Sequence, residues 1–289
     1  MKIEQALEHF VVQWQADGRA QHTVAQYRRH IRKLAQYVQE HEVEEIGHED
    51  LARFLSSVGV RQRADGGPRK ASSGNSIRSS IRVFFGYLHA AGYLHANPAR
   101  LVRRASTGAP SPRGLGAGER ERLLAALAAG EGEAAVRDRV LFELMLATGI
   151  RIGSALALDV GDLDLDEGTI LLRRVKGDRQ QLVFVPTKVV ESLRAFVGER
   201  RSGALFCGQH GERVGARQVH RRLVDWCREA GITRPVSPHS LRHDFAMRIY
   251  EKTGDVLLVQ AALGHASLES TAVYARTSGT RLRVALSSS

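Results

Sequence analysis

Apolar residues return every three or four positions along the first hundred residues, a rhythm that predicts helices. Val24, Tyr27, Ile31, Leu34 and Val38 mark one face of a segment running over 22–40. Similar spacings cover 4–15, 49–58 and 72–92. Thr23 or His22 stands near the start of the second segment, where a threonine can cap, and Gly92 can end the fourth. These elements predict a separate four-helix domain over residues 1–104. Residues 105–118, ASTGAPSPRGLGAG, lose the periodicity and read as a linker. Beyond it the pattern mixes. Helices are expected at 119–129 and 134–149. Two apolar, β-branched runs, 170–175 and 181–186, flank Lys-Gly-Asp-Arg-Gln and predict a β-hairpin. Helical spacing returns at 187–200, 216–230, 238–252, 255–263 and 268–276. The second domain, 119–289, is therefore expected to be mainly α with a small antiparallel sheet, an α+β fold.

Composition narrows the function. The 289 residues are 43% hydrophobic, enough for two packed cores. The formal charge is +11, which points to a polyanionic partner. No apolar run approaches the roughly 20 residues that span a bilayer, so a membrane partner is not expected. The start, MKIEQALEHFVVQW, has acids where a signal peptide is basic and apolar, so the expected place is the cytoplasm, at the nucleoid. Cys207 and Cys227 form no CxxC and read as small buried hydrophobes. Charge is also unevenly spread. Residues 1–105 hold sixteen basic and ten acidic groups, and six of those acids crowd between 40 and 50. Residues 51–104 hold ten basic groups against one acid, Asp65, a balance that suits phosphate contacts.

Four stretches can carry chemistry. In LMLATGIRIGSALAL, Arg151 interrupts an apolar run, where a cation needs a partner or an anion to hold. Lys176 stands at the hairpin tip. In PHSLRHDFA, Ser237 is a fair N-cap and Pro238 fits the first helical position. His239 and Arg242 then share one face of the first turn, where anions are favoured. A zinc protease helix needs a glutamate after the first histidine; Ser240 stands there, so a phosphate clamp is the better reading and no metal is expected. In LGHASLESTAVYAR, Gly264 can end a helix, His265 lies in the break, and Tyr274 falls two turns into the next helix.

In this order and spacing, these residues resemble the tyrosine recombinases, the phage integrases and Xer-type proteins. The resemblance also takes in TVAQYRRHIRKL and IRVFFGYLHAAGYLHANPAR, similar to that family's helical, SAM-like core-binding domain. It implies catalytic roles for Arg151, Lys176, His239, Arg242, His265 and Tyr274, the last as nucleophile. It implies DNA cleavage through a 3′-phosphotyrosyl link, with no cofactor, metal or ATP. The implied partner is a double-stranded recombination site, held by a homo- or hetero-tetramer at synapsis and by a monomer or weak oligomer off DNA. DNA contacts are expected from Arg69, Lys70, Arg78 and Arg82 in the first domain and from Arg217, Arg221 and Arg222 in the second. One departure stands out: relatives carry an acid three residues after the first arginine, and here Ser154 takes that place. Two other readings remain, a regulator that binds DNA without cutting it and a type IB topoisomerase.

Overall fold

The computed structural model describes residues 1–39, 41–63, 65–106, 114–175 and 179–264. The chain divides into two compact units, Met1–Ala109 and Pro110–Ser289.

The first unit contains α1 (Ile3–Ala16), α2 (Gln21–Val38), α3 (His48–Ser56), α4 (Val58–Arg61) and α5 (Ala71–Ala90). Four are the helices that the periodicity predicts. The fifth, α4, is one turn of four residues, too short to show a period. α1, α2 and α5 pack on one another, around Phe10, Ile31, Leu34, Ile81, Phe84 and Phe85. Phe10 meets Phe84 edge-on, with ring centroids 5.6 Å apart. Thr23 does not cap α2. The helix starts ahead of it, and Ala20 in the N-cap position offers no side-chain acceptor. This start is exposed, so water can satisfy the free N–H groups there. Gly92, at φ +79°, closes the end of α5 with an N–H bond to the His89 carbonyl.

A polar pair joins α2 to α5 inside this core. His30 Nδ1 lies 2.8 Å from Ser80 Oγ, and Gln26 donates to Ser76. Burial pushes the His30 imidazole down to about 4, helped by the charges of Arg29, Lys33 and Arg69. The unfolded chain takes up a proton below about 6.5, whereas the folded one does not until about 4. Stability is thus fully present above 6.5 and falls as pH drops through that window, by about 3 kcal/mol in all. His30→Gln should remove this part of the slope, measured by denaturant unfolding at stepped pH.

The second unit runs α6 (Ala117–Ala129), α7 (Glu133–Thr148), α8 (Ile152–Ala157), β1 (Leu163–Asp164), β2 (Thr169–Val175), β3 (Arg179–Phe184), α9 (Thr187–Val197), α10 (Ala216–Glu229), α11 (Pro238–Thr253) and α12 (Val256–Leu263). α7 is buried nearly all round and forms the centre, against α6, α9 and α11. The strands pair antiparallel in the order β1-β2-β3, with Ile170 opposite Val183. Ile170, Leu172 and Val183 face the core, while Leu182 and Phe184 stay exposed.

Several expected bounds shift. α6 begins at Ala117, inside the expected linker, where Glu119 turns back to accept the Gly116 N–H at 3.0 Å. Residues 107–113 of that linker, like the expected helix over 268–276, lie outside the described residues. β3 starts two residues early and stops before Pro186, which has no N–H for a ladder and N-caps α9 instead. β1 has two residues, below the length at which alternation shows. α9 ends at Val197, because Gly198 at φ +56° turns the chain out of the helix. Among the described residues, no helix is long and apolar enough to cross a membrane.

Candidate active site

The site is built where three helix ends meet. α7 stops at Gly149, which takes the left-handed conformation at φ +65°. A Cβ there would come 2.3 Å from Phe245, so the turn requires glycine twice over. Arg242 on α11 donates from Nη1 to the Gly149 carbonyl at 2.6 Å and from Nη2 to the Leu263 carbonyl at 2.7 Å. Its fork thus satisfies the carbonyl ends of α7 and α12, where a cation is favoured. The side chain is only 3% exposed.

Two residues past Gly149, Arg151 occupies the N-cap position of α8 and is exposed. His239 lies in the first turn of α11, directly after Pro238. Ser237 caps that turn through backbone bonds, its N–H to Ser240 Oγ at 3.1 Å and its carbonyl from the Ser240 N–H at 2.8 Å. The His239 ring keeps an edge in solvent. Burial of the remainder pushes its protonation below the ordinary imidazole value, and the Arg242 and Arg151 guanidiniums push it further. Both guanidiniums are thus near enough to act on the His239 ring. Lys176, His265 and Tyr274 lie outside the described residues. Arg242 holds the carbonyl two residues ahead of His265.

Two neighbours carry no role in the sequence reading. The His243 ring stands edge to face on His239, with centroids 4.5 Å apart and planes at 76°. Asp244, 2% exposed, accepts from Arg120 at 3.1 Å and from Arg248 at 2.9 Å. Arg120 ties α6 to α11 in this way. Gly114 presses on the same place: a Cβ there would lie 3.1 Å from the Asp244 Cα. Its carbonyl accepts from Arg234 at 2.7 Å, and Arg234 also pairs with Glu119. The helical spacing of four places His243 beside His239, but nothing in the sequence points to the Gly114 contact.

The expected DNA-contacting residues fall into different settings. Arg69, Lys70 and Arg78 line one concavity of about 650 Å³ in the first unit, together with Arg61. Arg69 donates to the Gln62 carbonyl at 2.9 Å. Arg82 lines a second concavity with Arg100 and Arg104. On α10, Arg217 and Arg221 are exposed. Arg222 instead binds the fully buried Asp138 at 2.6 Å and lies over the Trp226 ring. Asp138 also accepts from the Trp226 N–H at 3.0 Å, so this group joins α7 to α10. Ser154 is half-buried in α8 and lines a concavity with Asp159, Asp162, Arg173 and Arg213. Among the described residues, no group of three or more His, Cys, Asp or Glu could hold a metal ion.

Known proteins share the fold and align along most of the sequence. The model of the phage integrase family matches residues 115–281, and that of the phage integrase N-terminal SAM-like domain matches residues 8–92. Tyrosine recombinase XerC of Chromobacterium violaceum is 33% identical, over 94% of this chain and 90% of its own. Tyrosine recombinase XerD of Mycobacterium tuberculosis is 31% identical, over 95% and 92%. A crystal structure of the XerH site-specific recombinase bound to a palindromic difH substrate, a post-cleavage complex, superposes with a TM-score of 0.74 at 27% identity, covering 91% of this chain and 79% of that one. Since the catalytic-domain match takes in most of the second unit and the Xer relatives align over nearly the whole chain, the protein belongs to the phage integrase family of tyrosine recombinases.

Proposed function

We propose that this Xer-type recombinase cuts and rejoins the strands of its own DNA site through a covalent phosphotyrosyl link at Tyr274. The observation that carries the reading is the grouping of Arg151, His239 and Arg242, two guanidiniums beside an imidazole kept below its usual protonation.

The chemistry follows from these groups. Tyr274 attacks the scissile phosphorus, the bond to the 5′-oxygen breaks, and a 3′-phosphotyrosine forms. The pentacoordinate transition state places charge on the non-bridging oxygens. Arg151 and Arg242 stay charged at any working pH and supply planar donors to those oxygens. His265 adds a further hydrogen bond. A phenol with a pKa of about 10 arrives protonated. His239 takes that proton, which requires a neutral ring, and its lowered protonation keeps it neutral to more acidic pH. Lys176 protonates the leaving 5′-oxygen. Rejoining reverses these steps with a new 5′-hydroxyl, so ester replaces ester and no energy source enters.

The DNA partner rests on likeness: XerH is seen on its DNA substrate, and this chain carries a basic first unit. A synaptic tetramer, of one protein or two, is the matching assembly, as in the lambda integrase tetramer on a Holliday junction. Arg69, Lys70, Arg78, Arg82, Arg217 and Arg221 serve as phosphate contacts, and affinity should fall steeply with salt.

The test uses a duplex recovered by retention on the protein from a random pool, then nicked near its centre so that the cleaved end diffuses away. In EDTA and without ATP, the wild-type chain should form an SDS-resistant adduct with it. Specific binding with no adduct at any nick position overturns the reading in favour of a regulator. Relaxation of any supercoiled plasmid, with no preference for the recovered site, overturns it in favour of a topoisomerase.

A further inference from the structure

We infer that His243 is a positioning residue for His239, its ring fixing the orientation of the neighbouring imidazole and shielding one side of it from water. The inference rests on the reading above, in which His239 takes the tyrosine proton.

The edge-to-face contact supports it first. The two rings are four residues apart on one helix, with centroids 4.5 Å apart at 76°, an arrangement favoured for aromatic pairs. The mounting of His243 supports it second. It lies between two anchored residues: Arg242 holds two helix-end carbonyls, and Asp244 accepts from Arg120 and Arg248. The backbone of Gly114 closes on this same turn. His243 is half-buried and sits on a turn of α11 that is fixed from α6, α7 and α12, whereas His239 stands in the first turn with an edge in solvent. A ring on a fixed mount can hold one on a freer mount. The charged groups acting on His239 are Arg242 on its own helix and Arg151 at the start of α8.

The consequence is a base held in one orientation and kept neutral. Removing the His243 ring admits water to His239 and moves its titration upward, toward the ordinary imidazole value. The measurement is the titration of ring-labelled histidines by NMR in the full free chain, beside the pH profile of adduct formation. His243→Ala should raise the His239 titration, shift the acid limb of the cleavage profile upward, and slow cleavage at neutral pH. His243→Phe keeps an aromatic ring in the same place and should stay nearer to wild type in both. His243→Gln, which keeps a polar side chain but no ring, should follow the alanine variant; it stands in should that variant not fold. A His239 titration that is the same in wild type, Ala and Gln chains overturns the inference. If the titration shifts as expected while the wild-type chain forms no adduct at any pH, the contact stands and the recombinase reading is what fails.

Discussion

Arg242→Lys is expected to cut adduct formation by on the order of 10²–10³-fold, the cost of losing a preorganised transition-state donor. It is also expected to lower the melting temperature of the second unit. Both effects come from the same fork. The planar guanidinium reaches the Gly149 and Leu263 carbonyls at 2.6 and 2.7 Å from two different nitrogens. An ammonium is a point donor on a flexible stem and cannot reproduce that spread. Each carbonyl stranded in the buried interior costs about 1–3 kcal/mol. The two consequences separate by measurement. Cleavage is compared at a temperature where both chains are folded by circular dichroism, and binding to the uncut duplex is measured beside it. A lysine variant that cleaves at the wild-type rate would remove Arg242 from the chemistry and leave it a structural role only.

Tyr274→Phe is expected to bind the duplex with unchanged affinity and to form no adduct at all. The substitution removes one oxygen and keeps the ring. Among the six tyrosines, the other five have places of their own. Tyr27, Tyr37, Tyr87 and Tyr93 belong to the first unit, where Tyr27 stacks on Trp14 and Tyr87 meets Phe10. Tyr250 packs in the small cluster formed by α11 and α12. Mass spectrometry of a nuclease-trimmed wild-type adduct should find the nucleotide on the peptide containing residue 274. An adduct that survives Tyr274→Phe, or a nucleotide on any other peptide, moves the nucleophile elsewhere.

The two kinds of element differ in how plainly the sequence displays them. α2 and α5 are amphipathic over eighteen and twenty residues, so their buried faces can be traced position by position. β1 and α4 span two and four residues, about one cycle of their patterns and so too few to show a repeat. At the N-terminus of α2 the sequence offers Thr23 as a cap, but the helix starts ahead of it and its exposed end is open to water. At the site, Arg151 is legible because a cation is costly in an apolar stretch, and His239 with Arg242 because they share a face of a helix's first turn. The motif suggests a phosphate ligand at Arg242 but does not reveal what the structure shows, a fork holding two helix ends together. That depends on carbonyls 93 and 21 residues away in sequence, which no local pattern encodes. Arg222 shows the converse: it resembles a surface cation on a basic helix, and its partner is an acid 84 residues earlier. Lys176, His265 and Tyr274 rest on the family resemblance alone.

The contact between Gly114 and α11 has a mechanical meaning. Gly114 lies against the backbone of Asp244, and Arg234 holds its carbonyl. A pull on the chain at Gly114 is therefore borne by α11 itself, five residues from His239, and not by a remote edge of the second unit.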